Sequence, residues 1–271
     1  MANKKVIELI MKAISPVVGR RVFHRFYELL NQFSLIGMNI GTGSQTEHSG
    51  EKYVLEYINK YFRLEDNTLI IFDVGANAGH YSNLVKEIFG PKSLIYAFEP
   101  SSKAFEKYLK NLVAKSGIKA YQIALGDENN QTVLFSNIPG SGIASVYKRR
   151  LDHFETYLNQ IEDIEIRTLD SFCSENGIDH IHLLKLDVEG HEKKVLDGAS
   201  NMIESNSIDF IQFEFGGCNI DSRTYFQDFY YLLNEKYNIF RILRDGLYQI
   251  TRYKETYELF TTTNFLAQRR Q

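Results

Sequence analysis

The run Leu69-Ile-Ile-Phe-Asp-Val-Gly-Ala-Asn-Ala-Gly79 constrains the fold more than any other stretch of the chain. Four apolar residues in a row read as a buried strand, and that strand ends in Asp73. Gly75 and Gly79 then bracket a short turn, followed by a helical pattern to Ile88. Strand, glycine turn and helix in that order bring a bare backbone beside helix N–H groups, where a ligand can approach closely. The spacing is G-x-x-x-G, not the G-x-G-x-x-G that suits a dinucleotide pyrophosphate. Many α/β folds share such a turn, so alone it means little.

Further along, apolar strands and amphipathic helices alternate, the pattern of βαβ units in a parallel sheet. The strands read as Leu69–Val74, Ser93–Phe98, Ala120–Leu125, His182–Val188, Asp209–Phe215 and Asn238–Leu243. Helices are expected over Glu51–Phe62, Gly79–Ile88, Ser101–Lys115, His191–Asp197 and Arg223–Lys236. Thr132–Phe135 and Ile164–Leu169 read as extra strands flanking an insert, Ser136 to Asp163. The chain closes with antiparallel strands, Leu247–Thr251 and Asn264–Ala267. With 271 residues and 44% hydrophobic composition, a sizeable core can form.

The net charge of −3 lacks the basic footprint of nucleic-acid binding, and no nucleic-acid partner is expected. Cys173 and Cys218 have no metal-ligand spacing and are too few for a disulfide framework, which fits a reduced, cytoplasmic setting. No apolar run approaches the roughly 18 residues of a membrane span.

Residues 1–36 stand apart. Six basic residues (Lys4, Lys5, Lys12, Arg20, Arg21, Arg25) face Glu8 and Glu28, a net of +4 that leaves −7 for the remainder. Val6, Ile7, Ile10, Met11 and Ile14 recur at helical spacing, as do Phe23, Phe26, Tyr27 and Leu30, with Pro16 and Gly19 between. Two readings follow: a helical lid packed on the main domain, or a basic amphipathic surface resting on membrane or a partner. Residues 1–50 are thus read as a helical extension and loop, and 51–271 as the main domain; a homo-oligomer is compatible with this division.

Carboxylates sharpen the glycine turn into a site. Glu99 ends the second strand, where it would grip a ribose diol, and Asp127 follows the third, within reach of an adenine amino group. Together with Asp73 they place an acid at three successive strand tips, which points to a nucleoside ligand. The missing pyrophosphate glycine favours a small zwitterionic nucleoside such as S-adenosylmethionine over NAD(P). A second signal is the stretch His182-Leu-Leu-Lys-Leu-Asp-Val-Glu-Gly-His191. Central parallel strands are usually apolar on both faces, yet Lys185, Asp187 and Glu189 alternate with Leu184, Leu186 and Val188. Gln212 and Glu214 repeat the pattern on the next strand. The polar face lies at the ligand end of an open α/β sheet. A salt-bridged cluster without chemistry is the plain alternative.

Taken together, these residues resemble the FkbM-type methyltransferases of the class I S-adenosylmethionine fold. The resemblance rests on Asp73–Ser82, Phe98-Glu-Pro100, Ala124–Asp127, Gly140–Ser145, Thr168-Leu-Asp170, Lys185–Glu192, Val195–Ala199 and Glu214, and spans about residues 48 to 268. It implies a Rossmann-like seven-stranded sheet, mostly parallel, with the last strand reversed. It also implies that Gly75, Ala76, Asn77, Gly79 and Pro100 line the cofactor, Glu99 binds its ribose and Asp127 lies near its adenine. Members of that family methylate hydroxyls on sugars, polyketides and other small molecules, so a sugar or glycan precursor is the expected acceptor.

An alcohol is a poor nucleophile until a base removes its proton, and His191 or Asp187 is the candidate base, with Lys185 holding the carboxylate ionised. Alternatively, Asp187 and Glu214 chelate a divalent cation such as Mg²⁺. The basic insert residues Lys148, Arg149, Arg150 and His153, with Tyr147 and Tyr157, are candidates for contact with a polar acceptor. An NAD(P)-dependent oxidoreductase and a non-catalytic scaffold are the rival readings.

Overall fold

The computed structural model describes residues 11–41, 49–64, 67–112 and 116–271. The expected helix through Val6, Ile7 and Ile10 lies outside the described residues. Two apolar strands, β1 (Leu69–Val74) and β2 (Ser93–Phe98), pair in parallel at the centre, within the bounds expected from their periodicity. Around them an eight-stranded sheet forms with β3 (Ile118–Tyr121), β7 (Ile181–Leu186), β8 (Ile208–Phe215), β9 (Tyr237–Ile242), β10 (Leu247–Ile250) and β11 (Thr263–Arg269). Its order is β10-β9-β11-β8-β7-β1-β2-β3. Strand β11 runs antiparallel to both β8 and β9, the reversed strand of the expected topology. The eighth strand is β10, which hairpins onto the edge of β9.

Helices cover both faces of the sheet and bury two apolar layers. One layer is aromatic: Phe72, Tyr96, Phe98 and Phe172 meet at 4.8–6.1 Å between ring centroids. The other places Val54, Leu55 and Ile58 of α2 (Glu51–Tyr61) against Val85 of α3 (His80–Phe89).

The segment Ala120–Leu125, expected as one strand, is divided. Its first half is β3, and after a bend at Gln122 the chain enters β4 (Ala124–Gly126) of a second, three-stranded sheet. There β6 (Gln160–Thr168) lies between β4 and β5 (Asn130–Ser136). The bend lets Ala124 join Leu134, Ile164 and Ile166 in a separate small core, which a straight strand would not reach. The helix expected over Arg223–Lys236 starts later, at Phe226, because Arg223 is left-handed (φ 58°) and closes a short preceding turn of helix.

Upstream, α1 (His24–Gly37) has no buried residue, so it is not packed on the domain as a lid. It is tied on only past its end. Ile40 is buried, the Gly41 N–H donates to Thr262 O at 2.9 Å, and Asn39 donates to Ile242 O at 3.2 Å. Among the described residues no helix is long and apolar enough to cross a membrane.

Candidate active site

A cavity of about 390 Å³ opens at the C-terminal ends of β1, β2 and β7, the ligand edge of a parallel sheet. That size suits a small-molecule ligand. Its floor is the start of the glycine turn, Gly75, Ala76 and Asn77. Gly75 has φ +81°, and a Cβ there would fall 1.8 Å from the Asp187 carbonyl oxygen, so only glycine lets the two loops meet. The turn's amides are already engaged. Gly75 and Ala76 N–H both donate to Phe98 O at 3.0 Å, Gly79 N–H donates to Ala76 O at 2.8 Å, and Asn77 N–H donates to Glu99 Oε2 at 2.8 Å. A pyrophosphate, which needs such donors free, finds few of them here.

Glu99 lines the cavity beside Ala76, Asn77 and Pro100, as expected. Its second oxygen accepts from Ser101 N–H at 2.8 Å, and burial lifts its carboxyl to about 7 despite these donors.

Lys185 stands at the centre of the charge pattern. In register it lies between Asp73 on β1 and Gln212 on β8, so the three share one face. The ammonium is 3.5 Å from Asp73 and 3.2 Å from Asp187. Burial works against its charge, but Asp187, Asp73 and Glu51 together hold it above its ordinary range. The Tyr81 ring lies 5.2 Å from Lys185 Nζ, and its hydroxyl donates to Gln212 at 2.9 Å. Asp73 is fully buried below the cavity rather than facing it. Ser82 donates to it at 2.6 Å, and Tyr108 donates to Ser82 at 2.9 Å. Asp73 therefore anchors Lys185 and does not line the cavity.

Glu51 is the residue that sequence reasoning missed. It opens α2, lines the cavity, and shares Lys185 with Asp73 and Asp187. Its carboxyl is raised, chiefly by burial. No local motif marks it, since only the fold brings it near strands that begin 18 residues later.

Other expected residues divide. Asp187 and Glu189 line the cavity wall; Glu189 is left-handed (φ 53°), ion-paired with Arg149, and raised to about 7 by burial and Asp187. Glu192 is fully buried and accepts from Val188 and Gly190 N–H at 2.9 and 3.2 Å, which shapes that loop. His191 also lines the cavity, but at the β4 side: a Cβ on Gly126 would fall 2.8 Å from its Nε2. Tyr147 bonds its Nδ1 at 3.1 Å, Nε2 is buried without a partner, and burial lowers its pKa to about 4. Such an imidazole is neutral and holds a proton poorly.

Three expected contacts fall outside the cavity. Asp127 pairs with Lys194 at 2.6 Å instead of turning inward. Gly79 caps α3 and packs on Leu112 and Tyr108, where its φ of +86° is needed for the turn. Glu214 is likewise absent from the cavity wall, and burial together with Asp187, Glu189 and Glu192 raises it well above the carboxylate range. The insert reaches the cavity through Ser141, Gly142, Ala144 and Val146 rather than through its basic residues. Tyr147 and Arg149 act one step back, on His191 and Glu189.

Among the described residues only His180, His182 and Asp209 bring three candidate metal-ligand atoms within 4.8 Å. They sit at the opposite end of the sheet, where Arg269 already holds Asp209 at 2.8 Å and His182 Nδ1 accepts from Ile70 N–H at 2.9 Å. Asp187 and Glu214 belong to no such group.

The cavity wall thus carries four carboxylates (Glu51, Glu99, Asp187, Glu189) against one ammonium, Lys185. Two curated relatives share part of the chain. 2-O-methyltransferase NoeI of Sinorhizobium fredii is 26% identical over 150 residues, which cover 52% of this chain and 61% of that protein. Methyltransferase sdnD of Sordaria araneosa is 32% identical over 161 residues, 50% of this chain and 61% of that protein. The chain therefore spans about three fifths of the length of these relatives. A family model described as Methyltransferase FkbM domain matches residues 73–246, from Asp73 on β1 through the whole cavity floor, and the chain belongs to that family.

Proposed function

We propose that the protein is an S-adenosylmethionine-dependent O-methyltransferase whose acceptor is a hydroxyl of a sugar, glycan precursor or similar small molecule. The observation that carries this reading is the excess of carboxylates around the cavity. A sulfonium and an α-ammonium are both cationic and are favoured there; a dinucleotide's two phosphates are repelled and meet an amide turn already bonded to itself. This argues against the oxidoreductase alternative.

Ala76, Asn77, Glu99 and Pro100 would hold the nucleoside, with the His191 ring at the β4 end and Glu51 near the amino-acid end. Bound there, S-adenosylmethionine supplies an electrophilic methyl group on a good leaving group, so the protein's task is alignment and proton removal. Asp187 is placed for the second task. Its side chain is 42% exposed on the cavity wall, and the Lys185 ammonium at 3.2 Å orients it. As the acceptor oxygen gains the methyl, Asp187 takes its proton. Glu189, fixed by Arg149, offers a further hydrogen-bonding partner for acceptor hydroxyls.

Lys185 occupies the position beside Asp187 that a cation would otherwise fill, and the raised Glu214 is a poor ligand when protonated. The metal-free route is therefore preferred over Mg²⁺. The sugar acceptor is supported by the relative named 2-O-methyltransferase.

Transfer of a ¹³C-methyl group from S-adenosylmethionine, followed by mass spectrometry against a panel of nucleotide sugars and glycans, tests the reading. A product heavier by one methyl, formed equally with and without EDTA, is expected. Loss of activity in EDTA with recovery on adding Mg²⁺ would restore the metal route. Label on protein or nucleic acid only would overturn the acceptor class.

A further inference from the structure

We infer that the face formed by residues 20–36 docks on an anionic phospholipid surface. This goes beyond the proposed chemistry and does not depend on it. Val22, Phe26, Leu29, Leu30, Phe33 and Ile36 are all between 47% and 81% exposed. At 100° per residue, the last five fall within one arc of about 120° on α1. A contiguous exposed apolar face of that kind marks an interaction surface.

Its chemistry points to lipid. Arg20, Arg21 and Arg25 line a shallow groove of about 530 Å³ at the start of the helix, together with His24 and Tyr27. Among the described residues, none of the three guanidiniums is in an ion pair; the adjacent carboxylate of Glu28 faces His24 at 3.3 Å. Unpaired guanidiniums bind phosphate oxygens well, and beside an apolar face they form the pattern of a helix lying in the headgroup plane. The charge division agrees. Residues 1–36 as a whole, at net +4, are drawn to an anionic surface while the remainder, at −7, is repelled, and this orients the domain away from the bilayer. Just past its end the segment is tied, through Ile40, Gly41 and Asn39, to the edge formed by Ile242 and Thr262. A second copy of the chain fits less well, because a two-fold contact through this face would bring like charges together.

Flotation of the full chain tests this, with vesicles of phosphatidylcholine containing 30% phosphatidylserine and with phosphatidylcholine alone. Binding to the anionic vesicles, weaker by about 10-fold or more without phosphatidylserine, is expected. The triple variant Arg20→Glu, Arg21→Glu, Arg25→Glu should bind about 100-fold more weakly, and Phe26→Ser with Leu29→Ser and Phe33→Ser should not float. Circular dichroism and thermal unfolding check that both variants are folded. Should either be misfolded, a fluorophore on Leu29→Cys reports docking by a blue shift with anionic vesicles alone. Equal binding to both vesicle types, no binding to either, or a dimer that the serine variant dissolves while vesicles stay unbound would overturn the inference.

Discussion

Lys185 Nζ lies 3.2 Å from Asp187 Oδ2, a contact that joins a side chain only 5% exposed to one 42% exposed on the cavity wall. On its other side the same ammonium is 3.5 Å from the fully buried Asp73. A single charge therefore serves two carboxylates, one buried and one on the cavity wall. Lys185→Met leaves Asp73 buried without its counter-ion, which costs about 3–5 kcal/mol. Urea denaturation should show that loss, and adding Asp73→Asn should recover part of it. Additive losses in the double variant would mean that the two charges are not coupled.

Asp187→Asn keeps the shape of that pair but removes the proposed proton acceptor. Turnover should fall by about 10²–10⁴-fold while affinity for S-adenosylhomocysteine changes little. His191→Asn should do the reverse, weakening the nucleoside and sparing the pH profile of turnover. Loss of turnover in His191→Asn without loss of affinity would return the base to the histidine.

Gly75→Ala places a methyl group 1.8 Å from the Asp187 carbonyl oxygen at a φ of +81°. Backbone on one side and strain on the other leave no inexpensive relaxation, so a loss above about 3 kcal/mol is expected. Calorimetric unfolding measures it; a melting temperature within a degree of wild type would show that the two loops do not meet as described.

Stability should fall as pH rises from about 5 to 7. Burial lifts Glu99, Glu189 and Glu192 to about 7, so the folded chain keeps protons on them that the unfolded chain has released. His191, lowered to about 4, and His182, also lowered by burial, act in the opposite sense, but the raised Glu214 adds a fourth carboxyl to the other side. A cationic ligand should ionise the cavity-wall pair Glu99 and Glu189, so its affinity should increase over the same range. Denaturation series at pH 5, 6 and 7 check the sign.

How much of this was legible beforehand depended on how far apart the cooperating residues are. The bounds of β1 and β2 follow from uninterrupted apolar runs between turn residues, and Lys185 betrays itself as a charge on a strand that should have none. Glu99 is fixed by its place one step past a strand end. Asp127 has that same place, yet Lys194, 67 positions later, turns it outward. Likewise, His191 stands beside Asp187 in the motif, but Tyr147 and the bare Gly126 draw its ring to the β4 side. Glu51 carries no local signal, because what brings it to the cavity is the folding of α2 over the strand tips.

Glu51→Gln removes one cavity carboxylate whose burial is already unfavourable. Stability should be unchanged or slightly higher, and affinity for S-adenosylmethionine should drop about tenfold, the equivalent of about 1.4 kcal/mol. Unaltered affinity in calorimetric titration would remove Glu51 from the ligand site.

The most direct test of a cavity that selects a cationic nucleoside is titration calorimetry of the full chain with S-adenosylmethionine and, separately, with NAD. One-to-one binding of S-adenosylmethionine, with no measurable heat from NAD, is the predicted result. Binding of NAD, with S-adenosylmethionine inert, would contradict it.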